Sequence, residues 1–255
     1  MRSLRWLAFA AALIVALGTL VPFLYMVSTS LPDGRADAYR AAWAALPFSR
    51  FFLNSVIVSA VVSAGQVATS AAAAFALARL RFPGRDDVFL ALVAVLGVPP
   101  LVLLVPRFLM IDAFGWVDTY AGLISTELVS IWGIFLLRQF FVSLPPGLEE
   151  AARLDGADEW TIFTRVILPL SRPALATLAV VAFVDQWKSF LWPFVVTRSL
   201  RMQVAEVGLA TLQGTNYGAW PLLMAAAVFV TLPLFMIGLF AQRYVIRGVS
   251  VTGWS

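Results

Sequence analysis

Glu127, Asp185 and Lys188 are ionisable side chains set within stretches that are otherwise largely apolar. A charge at bilayer depth is costly and marks a pathway or a partner. Asp185 and Lys188 stand three residues apart, so on a helix they share a face, where they either neutralise one another as a local ion pair or meet a passing solute. Together with Glu127 they make the residue set of an ion-coupled secondary carrier. Asp185 with Glu127 is also the pair that an intramembrane carboxylate enzyme would need, but no paired catalytic motif surrounds them. Asn54, Trp187 and Trp192 are further candidates for the solute pathway, since an amide bonds a polar solute or a neighbouring helix, and an indole stacks on a sugar ring or packs between helices. Lys188 is the sole lysine and follows Trp187, so no Gly-x4-Gly-Lys-Ser/Thr loop for nucleotide phosphates is present. With neither Cys nor His, the chain offers no thiolate nucleophile, no imidazole base and none of the commonest metal ligands.

These residues sit in a chain of 255 residues, 61% hydrophobic and 13% charged, with a mean hydropathy of +0.90. That leaves too little polar surface to coat a soluble core, so the apolar residues face lipid. At about 20 residues per crossing the length accommodates six spans. They are read at about 6–28, 52–78, 88–109, 120–138, 173–196 and 220–242, within a single all-α membrane domain over residues 1–255. The first apolar run is too long for a signal peptide and lacks a clear Ala-x-Ala site, so it reads as a retained helix. In the second, Ala60, Ala64, Ala68, Ala72 and Ala76 recur every four residues, a smooth face that permits close helix approach. Pro99, Pro100 and Pro106 predict a kink in the third.

Eleven of the 18 basic residues fall at the N-terminus, after spans two and four, and at the C-terminus. The positive-inside rule then places both termini in the cytoplasm and leaves 31–50, 111–119 and 197–219 as outer loops. The arginines are dispersed instead of forming a stripe, so a pI near 10 does not indicate a nucleic-acid partner.

The longest cytoplasmic connection, about 145–169, is no linker. Pro145 and Pro146 suit a helix start, Glu149 and Glu150 favour its positive end, and Gly156 suits a left-handed C-cap. Asp158 then caps a second short helix carrying Trp160 and Phe163, and Pro169 is expected to stop it. On the opposite side, Gln213, Gly214, Asn216 and Tyr217 lie in a connector long enough to touch an external protein.

Glu150-Ala151-Ala152, three residues, Gly156, nine residues, then Val166-x-Leu168-Pro169 resembles the EAA motif of ABC-importer permeases, with Val166 where the pattern has Ile. Ala78 to Gly84, Val98-Pro99-Pro100, Phe135 to Phe141, Phe190-Leu191-Trp192-Pro193 and Gln242 to Gly248 are similar to the carbohydrate-importer, MalG-like branch of those permeases. The resemblance implies the type I ABC importer permease fold in the inner (plasma) membrane of a prokaryote, and transport of a sugar or sugar-like solute by alternating access. Besides membrane lipid and solute, it implies as partners a second homologous permease, two ATPase subunits that carry ATP and Mg, and an extracytoplasmic solute-binding protein. This chain itself then binds no cofactor and is not an enzyme. The coupling helix seated in the ATPase would comprise Glu149, Glu150, Ala151, Ala152, Asp155, Gly156 and Ala157, with Leu168 and Pro169 closing the motif. The binding protein would meet Gln213, Gly214, Asn216 and Tyr217. The family has Asn near position 188 where this chain has Lys188, which suggests a solute with a phosphate or carboxylate.

Overall fold

The computed structural model describes residues 2–250 apart from 217, so Tyr217, expected as an outer-loop contact, lies outside the described residues. Every regular element described is a helix: α1 (Arg2–Ser30), α2 (Asp37–Ala45), α3 (Phe48–Arg79), α4 (Arg85–Val95), α5 (Leu104–Ala113), α6 (Tyr120–Ile124), α7 (Ile131–Ser143), α8 (Gly147–Leu154), α9 (Glu159–Thr161), α10 (Leu168–Leu170), α11 (Arg172–Trp187), α12 (Leu191–Val196), α13 (Ala205–Thr215) and α14 (Trp220–Ser250). Within these, Ala11–Ser30, Phe48–Arg79 and Trp220–Leu239 are long and apolar enough to cross a membrane unbroken. Three bent pairs pass the same test together: Arg85–Val95 with Pro100–Ala113 at 92°, Tyr120–Glu127 with Ile131–Ser143 at 42°, and Glu159–Leu170 with Arg172–Trp187 at 76°.

The breaks have local causes. Pro99 and Pro100 cannot donate to the helical ladder, and a 3-10 turn at Pro100–Leu103 redirects the chain into α5. Ser130 ends the next bend by capping α7, its hydroxyl accepting from the Gly133 amide at 3.0 Å. Pro169 does not stop its helix, contrary to expectation. A π-helical turn over Ile162–Ile167 widens the ladder ahead of it, giving the ring room past the preceding carbonyls, and the helix turns only at Ser171. The expected fifth span also ends early, at Trp187, and a break at Lys188–Phe190 separates it from α12.

Two expected loops are partly helical. The charged stretch after α1 contains α2, whose Ala38 and Ala42 are buried against α3 and α14. The connector after α12 contains α13, which packs Val207, Gly208 and Leu212 inward.

The central strut is α3, which contributes to all three apolar clusters. Phe48 and Phe51 join α2, α13 and α14. Val58 and Val62 meet Ile111, Leu123, Trp192 and Val196. Ala71, Ala74 and Phe75 meet Leu137, Phe141, Ile162 and Leu178. Polar groups pin it along its length: Ser63 donates to the Ala179 carbonyl at 2.8 Å and Ser55 accepts from the Ala205 amide at 2.8 Å. Interhelical bonds of this kind hold helices together where lipid supplies no hydrophobic drive. The alanine ladder lies elsewhere on the helix, with Ala60, Ala64, Ala68 and Ala72 exposed.

Candidate functional site

The first candidate region is the helical hairpin of α8 and α9. Its N-terminal end carries Glu149 and Glu150, which suit the positive pole of α8. Gly156 turns the chain at φ 84°, a conformation that a side chain disfavours, and Asp158 then accepts from the Thr161 amide at 2.9 Å to start α9. Hydrogen bonding to Thr161 also holds the Asp158 carboxyl below its usual range.

The hairpin has two faces. Ala152, Ala157 and Leu168 pack against the cluster of Phe75, Phe141 and Ile162, and Glu149 is buried beside them. Leu148, Glu150, Ala151, Asp155 and Gly156 are exposed, Leu154 is 89% exposed and Trp160 69%. Large apolar side chains beside an exposed carboxylate form a surface suited to another protein.

Glu149 has a partner that its sequence neighbourhood does not reveal. Arg79, the last residue of α3, brings Nε to 2.8 Å from Glu149 Oε1, and both side chains are almost wholly buried. The Nε–H is not aimed along a hydrogen bond to that oxygen, so the attraction is Coulombic; Arg79 Nη2 donates instead to the carbonyls of Phe141 and Leu144. The available signal is a lone arginine closing a long apolar helix, where it also suits the negative pole.

The second region gathers the residues expected on a solute pathway, and the structure divides them. Asn54 is fully buried; its amide donates to the carbonyls of Arg201 and Gln203 at 2.9 and 2.8 Å and its oxygen accepts from Tyr120 at 2.7 Å. Trp187 and Trp192 are also buried, donating to the carbonyls of Val230 and Gly122. These three side chains hold the fold together and present no surface to a solute.

Glu127 sits in the bend before α7 and is ion-paired to Arg107 of α5, which also donates to Thr126 and lies 4.2 Å over the Trp192 ring. Asp185 and Lys188 are exposed and form no ion pair with one another, which removes the local-pair reading. Near Lys188 stands a carboxylate that no motif singles out, Glu206 at the start of α13. Burial pushes its carboxyl above the usual range, and the Lys188 ammonium pulls it part of the way back.

The third region is the connector between α12 and α14. Gln213 and Gly214 are exposed on the last turn of α13 and Asn216 is half-buried at its end. The connector's start is braced by Asp118, whose Oδ1 accepts from the Arg198 and Ser199 amides at 2.9 and 3.0 Å. Burial opposes ionisation there, but those bonds outweigh it and hold the carboxyl below its usual range. Among the described residues no cluster of acidic side chains could hold a metal.

A family profile described as binding-protein-dependent transport system inner membrane component matches residues 66–251. The arabinooligosaccharides transport system permease protein AraQ of Halalkalibacterium halodurans is 37% identical over 206 residues, covering 80% of this chain and 73% of the relative. The sn-glycerol-3-phosphate transport system permease protein UgpE of Pectobacterium atrosepticum is 34% identical over 205 residues, with 80% and 73% covered. A solved bacterial ABC transporter involved in import of the acidic polysaccharide alginate superposes with a TM-score of 0.80 at 22% identity, over 96% of this chain and 98% of that one. A second solved alginate transporter, in complex with a periplasmic protein, gives 0.71 at 19% identity over 93% of each chain. The match over most of the chain, with the bent-helix fold shared, shows that this protein belongs to the binding-protein-dependent transport system inner membrane components, as a permease subunit of an ABC importer.

Proposed function

We propose that this permease carries a sugar or sugar-like solute through a complex with a second homologous permease, two ATPase subunits and an extracytoplasmic binding protein. The observation that carries this reading is the two-faced hairpin: α8 is anchored inward through Glu149 and Ala152, while Glu150, Ala151, Leu154, Asp155, Gly156 and Trp160 remain exposed. That exposed face is the seat of the ATPase, where Glu150 makes a charged contact. ATP and Mg belong to the ATPase subunits. Arginine distribution supports cytoplasmic placement of both termini and of α8, and an outer location for α13. There Gln213, Gly214 and Asn216 meet the binding protein.

The relatives' names, an arabinooligosaccharide and a glycerol phosphate permease, support a carbohydrate-like solute. Of the six side chains considered for contact with it, only Asp185 and Lys188 are exposed. Lys188 has no ion-pair partner among the described residues and favours a solute bearing a phosphate or carboxylate.

Co-purification from native membranes tests the coupling reading. The wild type should recover a second permease and an ATPase, whereas Glu150→Ala/Gly156→Pro should lose the ATPase selectively, since proline cannot adopt the positive φ of position 156. Recovery of the wild-type chain free of any ATPase would overturn it.

A further inference from the structure

A 32-residue helix is about 48 Å long at 1.5 Å per residue, and both ends of α3 are held by polar contacts. At its start, Asn54 grips the carbonyls of Arg201 and Gln203, and Ser55 takes the amide of Ala205. At its last residue, Arg79 meets Glu149 of α8. Between those ends the helix is buried along one side by α7 and α11, with Gly133 admitting Ser70 so closely that a methyl there would stand 2.6 Å from its hydroxyl.

The contact at the end of α3 continues as a row of charges. Glu149 Oε2 lies 3.8 Å from Arg153 Nη2, and Arg153 pairs with Glu159 of α9 at 3.0 Å. Only the first member of the row lies outside the hairpin. The hairpin is joined to α7 through Leu144 to Pro146, and Arg79 also holds the Phe141 and Leu144 carbonyls of that junction. One guanidinium therefore binds the end of α3, the end of α7 and the start of α8, its side chain 11% exposed and that of Glu149 5%. An ion pair there resists displacement, because parting its members leaves two uncompensated buried charges.

We propose that Arg79 and Glu149 are the positioning pair that makes α3 follow the movement of α8, carrying ATPase motion to the segment that Asn54 holds at the other end. The inference rests on α8 being the ATPase seat. Neither residue touches ATP or solute. Their part is to make hairpin and strut one body.

The test uses the intact importer, purified with its ATPase subunits and reconstituted in liposomes with its binding protein and solute. Glu149→Gln keeps the shape and removes the charge. The ATPase subunits should remain bound, while the solute moved per ATP hydrolysed falls by at least about fivefold, the lower end of ordinary allosteric coupling. Arg79→Lys should retain part of that ratio and Arg79→Met none. An unchanged ratio in Glu149→Gln would overturn the proposal. So would release of the ATPase, as expected for Glu150→Ala/Gly156→Pro, because Glu149 would then be a docking residue. If the wild type itself retains no ATPase, the coupling reading fails instead.

A second measurement avoids variants of the pair. The chain has no cysteine, so Ala72→Cys and Leu148→Cys give it two defined sites for spin labels. Their separation should stay constant between nucleotide-free and ATP-trapped importer. A change in that distance would show α8 moving independently of α3 and would overturn the proposal.

Discussion

Arg107 reaches from α5 to ion-pair with Glu127 in the bend between α6 and α7, and its guanidinium lies over the Trp192 indole. The pair ties three broken segments at one point. A carboxylate that the sequence offers as a transport group is ion-paired to Arg107 at a bend, and among the described residues it makes no ion pair with Lys188.

Removing the arginine should expose that dependence. Arg107→Met leaves Glu127 without its partner and Trp192 without its cation, at a cost of about 2–3 kcal/mol, toward the lower side of buried-pair losses because both groups are a quarter exposed. The melting temperature in detergent should fall by several degrees. Glu127→Gln, which keeps an acceptor for Arg107, should lower it less.

Asn54 satisfies two carbonyls and a phenol at once. Asn54→Ala should cost about 2–3 kcal/mol through the unsatisfied buried groups it leaves. Limited proteolysis should then cut within 197–204 sooner than in wild type, while co-purification of the ATPase is unchanged.

Two glycines make a matched pair of tests. A Cβ at Gly133 would stand 2.6 Å from Ser70 Oγ and 3.1 Å from a Leu178 methyl, whereas one at Gly147 would meet nothing within 4 Å. Gly133→Ala should destabilise the fold by about 1–3 kcal/mol. Gly147→Ala should leave the melting temperature unchanged or slightly raised.

The pH dependence at Glu206 has a definite sign. Burial raises its folded-state pKa above the ordinary value of 4.5, so its stabilising contribution is complete below that value and is lost as pH rises through the folded one. Glu206→Gln, neutral throughout, should melt higher than wild type well above the carboxylate range, and the gap should close on acidification below it. A gap that widens on acidification would reverse the assignment.

Much of this architecture is legible in residue patterns, and the failures have physical causes. Uninterrupted apolar runs announce α1, α3 and α14, and Pro99 with Pro100 announces the sharpest bend, because lipid enforces length and proline enforces a break. The turn at Gly156 and the cap at Asp158 are legible because both act within four residues. The helix α2 is hidden in a charged stretch, since its apolar stripe is made of alanines whose burial depends on α14. Pro169 misleads because the π-helical turn ahead of it accommodates the ring. Arg107 and Glu206 carry no local mark, and the mark on Arg79, a cation closing an apolar helix, does not name its partner Glu149 seventy residues on. Asn54, Trp187 and Trp192 look like pathway residues in one dimension and are buried by tertiary packing in three.

This permease should move solute only when α8 is driven by an ATPase. The most direct measurement is uptake of candidate sugars and sugar phosphates into liposomes holding the purified importer, with binding protein outside and ATP supplied to the ATPase side. Uptake should require ATP, persist when ionophores collapse every ion gradient, and vanish in Glu150→Ala. Uptake by this chain alone, driven by an ion gradient and abolished by ionophores, would contradict the account.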